Sequence, residues 1–204
     1  QVHYAQSPEL AVETFENHLN KPGAQGNEAI RYGLAVAYLS NDQFEKAAKG
    51  IKELLVNNPG RITFQVTLAE TLMQQNKLDE ARALLKDALS RNPGNYPITS
   101  TLADVEIATG NGTQAAEHLK QLTRRMPQQE YLWLRLAEAE GMARNIVGVH
   151  RARAEYDALM GDLESAQRQL RQAQEKLPAG SAQRQVVSER LSEITSRLQA
   201  HRNS

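Results

Sequence analysis

The run PGRITFQVTLAETLMQQNKLDEARALLKDALSRNP, residues 59–93, decides the fold. It begins and ends on proline, and its two helical stretches are joined by Gln75-Asn76-Lys77. A third proline stands the same distance on, since 93 − 59 = 34 and 127 − 93 = 34 for Pro59, Pro93 and Pro127. Other positions keep the phase when each block is numbered so that its proline falls at position 32. Position 7 is then Leu34, Leu68 and Leu102, and position 8 is Ala35, Ala69 and Ala103. Position 20 is Ala47, Ala81 and Ala115, and position 24 is Ile51, Leu85 and Leu119. Small residues let helix axes approach, and large ones fill the space beside them. The alternation is a packing requirement and carries no chemistry.

A period of 34 residues with two antiparallel helices per unit is the signature of the tetratricopeptide repeat. The expected fold is an all-α, tetratricopeptide-repeat superhelical solenoid of about 11 helices. It should carry a half-repeat irregularity after Pro127 and a C-terminal capping helix. One repeat domain is expected over 1–204: a partial repeat at 1–26, regular repeats at 27–59, 60–93 and 94–127, irregular repeats at 128–180, and the cap at 181–204.

Composition excludes several classes of function. Lys+Arg (24) equals Asp+Glu (24), so no net field draws nucleic acid or an acidic membrane surface. The balance holds locally, with 13 basic and 14 acidic groups in residues 1–127 and 11 and 10 in 128–204. There is no cysteine, hence no disulfide, thiol nucleophile or cysteine metal site. No apolar run approaches the length of a membrane span. The chain opens on Gln1 with its first repeat cut in half, which reads as a fragment of a longer protein.

Ser7, Pro8 and Glu9 form a helix start, followed by Leu10, Phe15 and Leu19 at helical spacing and a stop at Lys21-Pro22-Gly23. This element is either the second helix of a truncated unit or a free amphipathic cap. The three regular repeats turn at Asn41-Asp42, at Gln75-Asn76-Lys77 and at Gly110-Asn111-Gly112. After Pro127 the phase is expected to break. Trp133, Leu136 and Ala137 open a block at positions 4, 7 and 8, but no second helix with alanine in register follows. Instead Asn145-Ile146-Val147-Gly148 reads as a turn into a first helix over 150–160, and Gly161, Leu163, Ala166, Leu170, Ala173 and Pro178 complete a repeat. From Pro127 to Pro178 is 51 residues, so a bend or a change of packing is expected near Arg144. The last helix, 181–201, puts Val187, Leu191, Ile194 and Leu198 on one face and Arg184, Arg190, Arg197 and Arg202 on the other. It reads as a cap, or as a partner-binding helix.

The second half resembles a known family. The stretch Leu134-Arg135-Leu136-Ala137-Glu138-Ala139, then HRARAEYDAL over 150–159 and GDLESA over 161–166, is similar to the C-terminal repeat region of the periplasmic β-barrel assembly-enhancing zinc metalloproteases. The resemblance implies a zinc helix of the His-Glu-x-x-His kind in an upstream catalytic domain. It implies no cofactor in this piece, zinc belonging to the missing domain. It also implies a periplasmic location. The partners implied are outer-membrane β-barrel precursors, subunits of the β-barrel assembly machinery, and the protein's own protease domain. His3, His18, His118, His150 and His201 are each isolated, so no catalytic or metal residue is carried over. The chain reads as a non-catalytic interaction module, or else as a stand-alone adaptor of an envelope or secretion complex.

In this repeat class positions 2, 5, 9, 12 and 13 of each first helix point into the concave groove. Position 9 holds Val36, Glu70, Asp104 and Glu138, and Glu155 follows in the last repeat. Tyr32, Leu39, Val66, Met73, Ile107, Tyr131 and Leu134 lie nearby. One reading is a groove for extended polypeptide with apolar and basic side chains. The other is that these acids solvate their helices or pair with Arg135, Arg144 and Arg151. A clamp for a terminal carboxylate needs basic groups at these positions, which here are acidic or apolar. Arg124, Arg125, Arg135, Arg144, Arg151 and Arg153 form a second candidate surface for an acidic partner, or pair with helix ends and neighbouring acids. Nucleic acid is disfavoured because no aromatic is interleaved for stacking.

Overall fold

The computed structural model describes residues 7–202, Arg202 by its backbone alone. Among the described residues there are eleven helices and no strand: α1 (Pro8–Leu19), α2 (Glu28–Ser40), α3 (Phe44–Asn57), α4 (Ile62–Gln74), α5 (Leu78–Arg91), α6 (Tyr96–Ala108), α7 (Gly112–Arg125), α8 (Glu130–Met142), α9 (Ile146–Leu159), α10 (Leu163–Glu175) and α11 (Ala182–Arg202). His3 lies outside the described residues, as does the side chain of Arg202. No described helix is long and apolar enough to cross a membrane.

Local chemistry starts several helices. The Ser7 hydroxyl accepts the Leu10 N–H at 3.2 Å, and Asn27, Asn145 and Asp162 cap α2, α9 and α10 in the same manner. First helices begin at Glu28, Ile62, Tyr96 and Glu130, and second helices at Phe44, Leu78, Gly112 and Ile146, each series stepping by 34. The turns keep the step too. Asp42, Asn76, Gly110 and Arg144 all take left-handed backbone, at φ 55°, 58°, 78° and 58°.

The phase therefore runs one helix further than the sequence reading expects. Residues 145–148 are the cap and first turn of α9, which stands in the second-helix place of a fourth repeat. The turn at Arg144 is of the same kind as its three predecessors, so the expected break of phase after Pro127 is corrected. The alanine signal failed because position 20 of this repeat is Val149 and position 24 is Arg153. A Cβ placed on Gly141 of α8 would lie at ordinary contact distance, 3.7 Å, from a Val149 methyl, and α9 buries Ala152, Ala154 and Ala158. The same α9 packs on α10 as well as on α8, so one helix serves two pairs. The irregularity begins after α9.

Packing divides the chain into two compact units, Gln1–Val105 and Glu106–Ser204. In the first, Ile51, Leu54, Phe64, Leu68, Leu72, Leu85, Ile98 and Leu102 form a continuous buried core. Ala11, Val12 and Phe15 of α1 pack with Ala37 of α2 in a smaller cluster. The Phe15 ring sits where a Gly33 side chain would be, 2.4 Å from an ideal Cβ, so α1 docks closely on α2. Leu10, at helical spacing with Phe15 and Leu19, is 43% exposed. In the second unit Leu163, Leu170, Val187, Ile194 and Leu198 are buried together, which seats α11 on α10. Two arginines expected to stay wet are tied down: Arg184 donates to the Leu177 carbonyl at 2.7 Å, and Arg190 grips Glu155.

Candidate functional site

The groove positions separate by surroundings. In the first unit Tyr32, Val66 and Met73 pack on the core, and the Tyr32 hydroxyl shares a 2.9 Å hydrogen bond with Thr67. The Tyr32 and Phe64 rings lie 5.1 Å apart. These three residues fix α2 and α4 and leave only part of their surface to solvent. Val36 and Leu39 are likewise half-buried. Glu70 of α4 and Asp104 of α6 are neighbours whose carboxylates repel. Burial, and after it the Asp104 charge, pushes Glu70 above its ordinary value.

In the second unit α8 exposes an apolar stripe. Tyr131 and Leu134 are each 49% exposed and Met142 is 39% exposed, one helix face with Glu138 between them. Arg135 holds Glu138 at 2.5 Å, one of the pairings weighed above. Ile107 is half-buried at the end of α6. Glu155 accepts two hydrogen bonds from Arg190 of α11, at 2.9 and 2.6 Å, and so anchors the last helix.

The six arginines do not act as one patch. Arg144 forms the left-handed turn, Arg135 pairs with Glu138, and Arg153 faces Asp157. Arg125 lies in the last turn of α7, where the negative end of the helix dipole favours its charge. Arg124 and Arg151 line one cavity of about 430 Å³ together with Lys120, Trp133, Leu136, Glu140, Val186 and Arg190. Sequence reasoning named Arg124, Trp133, Leu136, Arg151, Val187 and Arg190 for separate reasons but missed the cavity, since its walls come from five helices.

Two buried acids mark the repeats behind these faces. Glu106 and Glu140 stand at position 11, and each accepts a 2.8 Å hydrogen bond from an asparagine five residues on, Asn111 and Asn145. Lys120 closes on Glu140 at 2.7 Å. Gly148 covers that carboxylate so closely that a Cβ would lie 2.5 Å from its carbon. Among the described residues no group of three or more His, Asp or Glu side chains could hold a metal ion. His150 is hydrogen-bonded to Gln169 at 2.8 Å.

Two family models of the tetratricopeptide repeat match, one over residues 72–139 and one over 147–172. The chain carries tetratricopeptide repeats. The second match spans α9 and α10, the pair in which α9 plays first helix. No curated protein matches the chain by sequence. Among solved structures the repeat fold recurs in PilW, a type IV pilus biogenesis factor, with 18% identity, TM-score 0.66, and 91% of this chain and 93% of that one covered. It recurs in MamA from Desulfovibrio magneticus RS-1 with 14% identity, TM-score 0.62 and coverage of 88% and 99%. A tetratricopeptide repeat protein from Parabacteroides merdae ATCC 43184 gives 17%, 0.60, 93% and 78%. These likenesses concern the fold. Repeats of this kind are protein-interaction modules, and the chain's partners are proteins.

Proposed function

We propose that the chain is the non-catalytic interaction module of a periplasmic zinc metalloprotease, presenting outer-membrane β-barrel precursors and assembly-machinery subunits to the protease. The inner faces receive extended polypeptide carrying apolar and basic side chains. The observation that carries the binding chemistry is the recurrence of acids at Glu70 and Asp104, near enough for the Asp104 charge to raise Glu70, a local negative field that favours basic side chains. The exposed Tyr131 and Leu134 add apolar contact in the second unit. The protease association rests on the likeness of residues 134–166 to that family. The upstream zinc domain, the periplasmic location and the named partners belong to the same proposal. A second reading, a stand-alone envelope adaptor, draws on the likeness in fold to PilW.

Isolation of the intact native protein from its own cells, followed by mass spectrometry, separates the two. The protease reading expects a polypeptide with a His-Glu-x-x-His segment ahead of these repeats, recovered with β-barrel precursors. Recovery of repeats with no zinc helix in the polypeptide, beside pilus or secretion subunits, supports the adaptor.

A further inference from the structure

The cavity among α7, α8, α9, α10 and α11 lies within the second unit and on another face of α8 from Tyr131, Leu134 and Glu138. Trp133, Leu136 and Glu140 of α8 line it, and its volume of about 430 Å³ falls in the range of ligand pockets. Its charges do not cancel. Lys120, Arg124, Arg151 and Arg190 face Glu140 and Glu155. Lys120 is committed to Glu140 at 2.7 Å and Arg190 to Glu155 at 2.6 Å. Arg124 and Arg151 remain, both exposed, with no acid paired to either among the described residues. Beside them stand Trp133 and Val186, the latter 51% exposed at the end of α11 that enters the cavity.

We infer that this cavity is a second binding site, which takes a carboxylate-bearing peptide segment with a large apolar side chain next to the carboxylate. Two planar guanidinium groups offer fork-shaped donors that match a carboxylate, and the net positive balance selects for it. Trp133, Leu136 and Val186 give the neighbouring side chain an apolar wall. The preference is opposite to that of the Glu70 and Asp104 face, and the inference stands apart from the proposed function. An Asp or Glu side chain and a chain terminus supply the same chemistry.

Trp133 is the sole tryptophan of the chain, so tryptophan emission, excited to the red of tyrosine absorption, reports on this cavity. Three probes are titrated into the full chain: acetyl-Gly-Leu-Asp-Leu-Gly-amide, acetyl-Gly-Leu-Asn-Gly-Leu with a free carboxyl, and acetyl-Gly-Leu-Asn-Leu-Gly-amide. At least one of the two acids should shift the emission saturably, and the neutral peptide should bind at least tenfold more weakly. Which acid binds identifies the source of the carboxylate. Arg124→Gln with Arg151→Gln should weaken that binding tenfold or more, whereas Lys52→Ala, one positive charge removed in the first unit, leaves it unchanged. Equal binding of acid and neutral peptides by the unaltered chain overturns the inference, and so does full affinity in a double variant with an unchanged melting temperature. The comparison of peptides stands even if the double variant fails to fold.

Discussion

At the scale of the residue, the repeat is held by positions where size or backbone angle leaves little choice. Ala81 and Ala115 are fully buried at helix crossings, so Ala81→Leu or Ala115→Leu should overpack the core and cost about 1–3 kcal/mol in a denaturant melt. Arg144 occupies the left-handed turn that glycine fills at Gly110. A side chain there is strained against its own carbonyl, and Arg144→Gly should raise stability by up to about 1 kcal/mol. Glu70 is the reverse of a stabilising carboxylate. Its folded-state value lies above its unfolded one, so the folded state is penalised at neutral pH, and the penalty fades as pH falls through the carboxylate range. Glu70→Gln should therefore raise the melting temperature at pH 7 and make no difference near pH 3. A gain that persists unchanged at pH 3 would show that the carboxylate's charge is not the cause.

At the scale of the element, α8 and α11 are each held by specific contacts. Lys120→Ala leaves the 4% exposed side chain of Glu140 without its cation, an expected loss of about 3 kcal/mol and a loosening of α8 against α7. The retention of α11 depends on Val187, Ile194 and the Arg190 grip on Glu155. The proline ladder made the first three repeats legible because Ala47, Ala81 and Ala115 recur wherever two helices must approach closely. The fourth repeat was hidden because Val149 and Arg153 stand where an alanine and a large apolar residue are expected, while α9 buries Ala152, Ala154 and Ala158 off that register. The helix starts and the left-handed turns, which report backbone geometry directly, kept the period. Contacts between distant residues were not legible, since the pairing of Arg190 with Glu155 spans 35 residues and leaves no local signature.

At the scale of the whole molecule, the chain presents side chains of two opposite chemistries. The first unit offers the Glu70 and Asp104 pair, and the second offers the α8 stripe and a cavity with two uncommitted arginines. Both belong to a scaffold whose repeats bury small residues and leave the outer positions open to variation, so recognition varies without disturbing the core. The acid pair was visible in the sequence as a register position. The cavity was not, because its lining is collected from Lys120 to Arg190 by tertiary packing. The central claim is that the inner faces bind other polypeptides through their acids. Photo-cross-linking in cells tests it most directly, with p-benzoylphenylalanine placed at Gln74, which stands at position 13 of the second repeat, or at Tyr131 or Leu134 of the intact protein, and at Lys52 and Glu80 as controls. Adducts to other proteins should form from the three inner positions and not from the controls, and those from Gln74 should vanish in Glu70→Lys with Asp104→Lys. Equal adducts from inner and control positions, or adducts from Gln74 undiminished by the charge reversal in a folded protein, would contradict it.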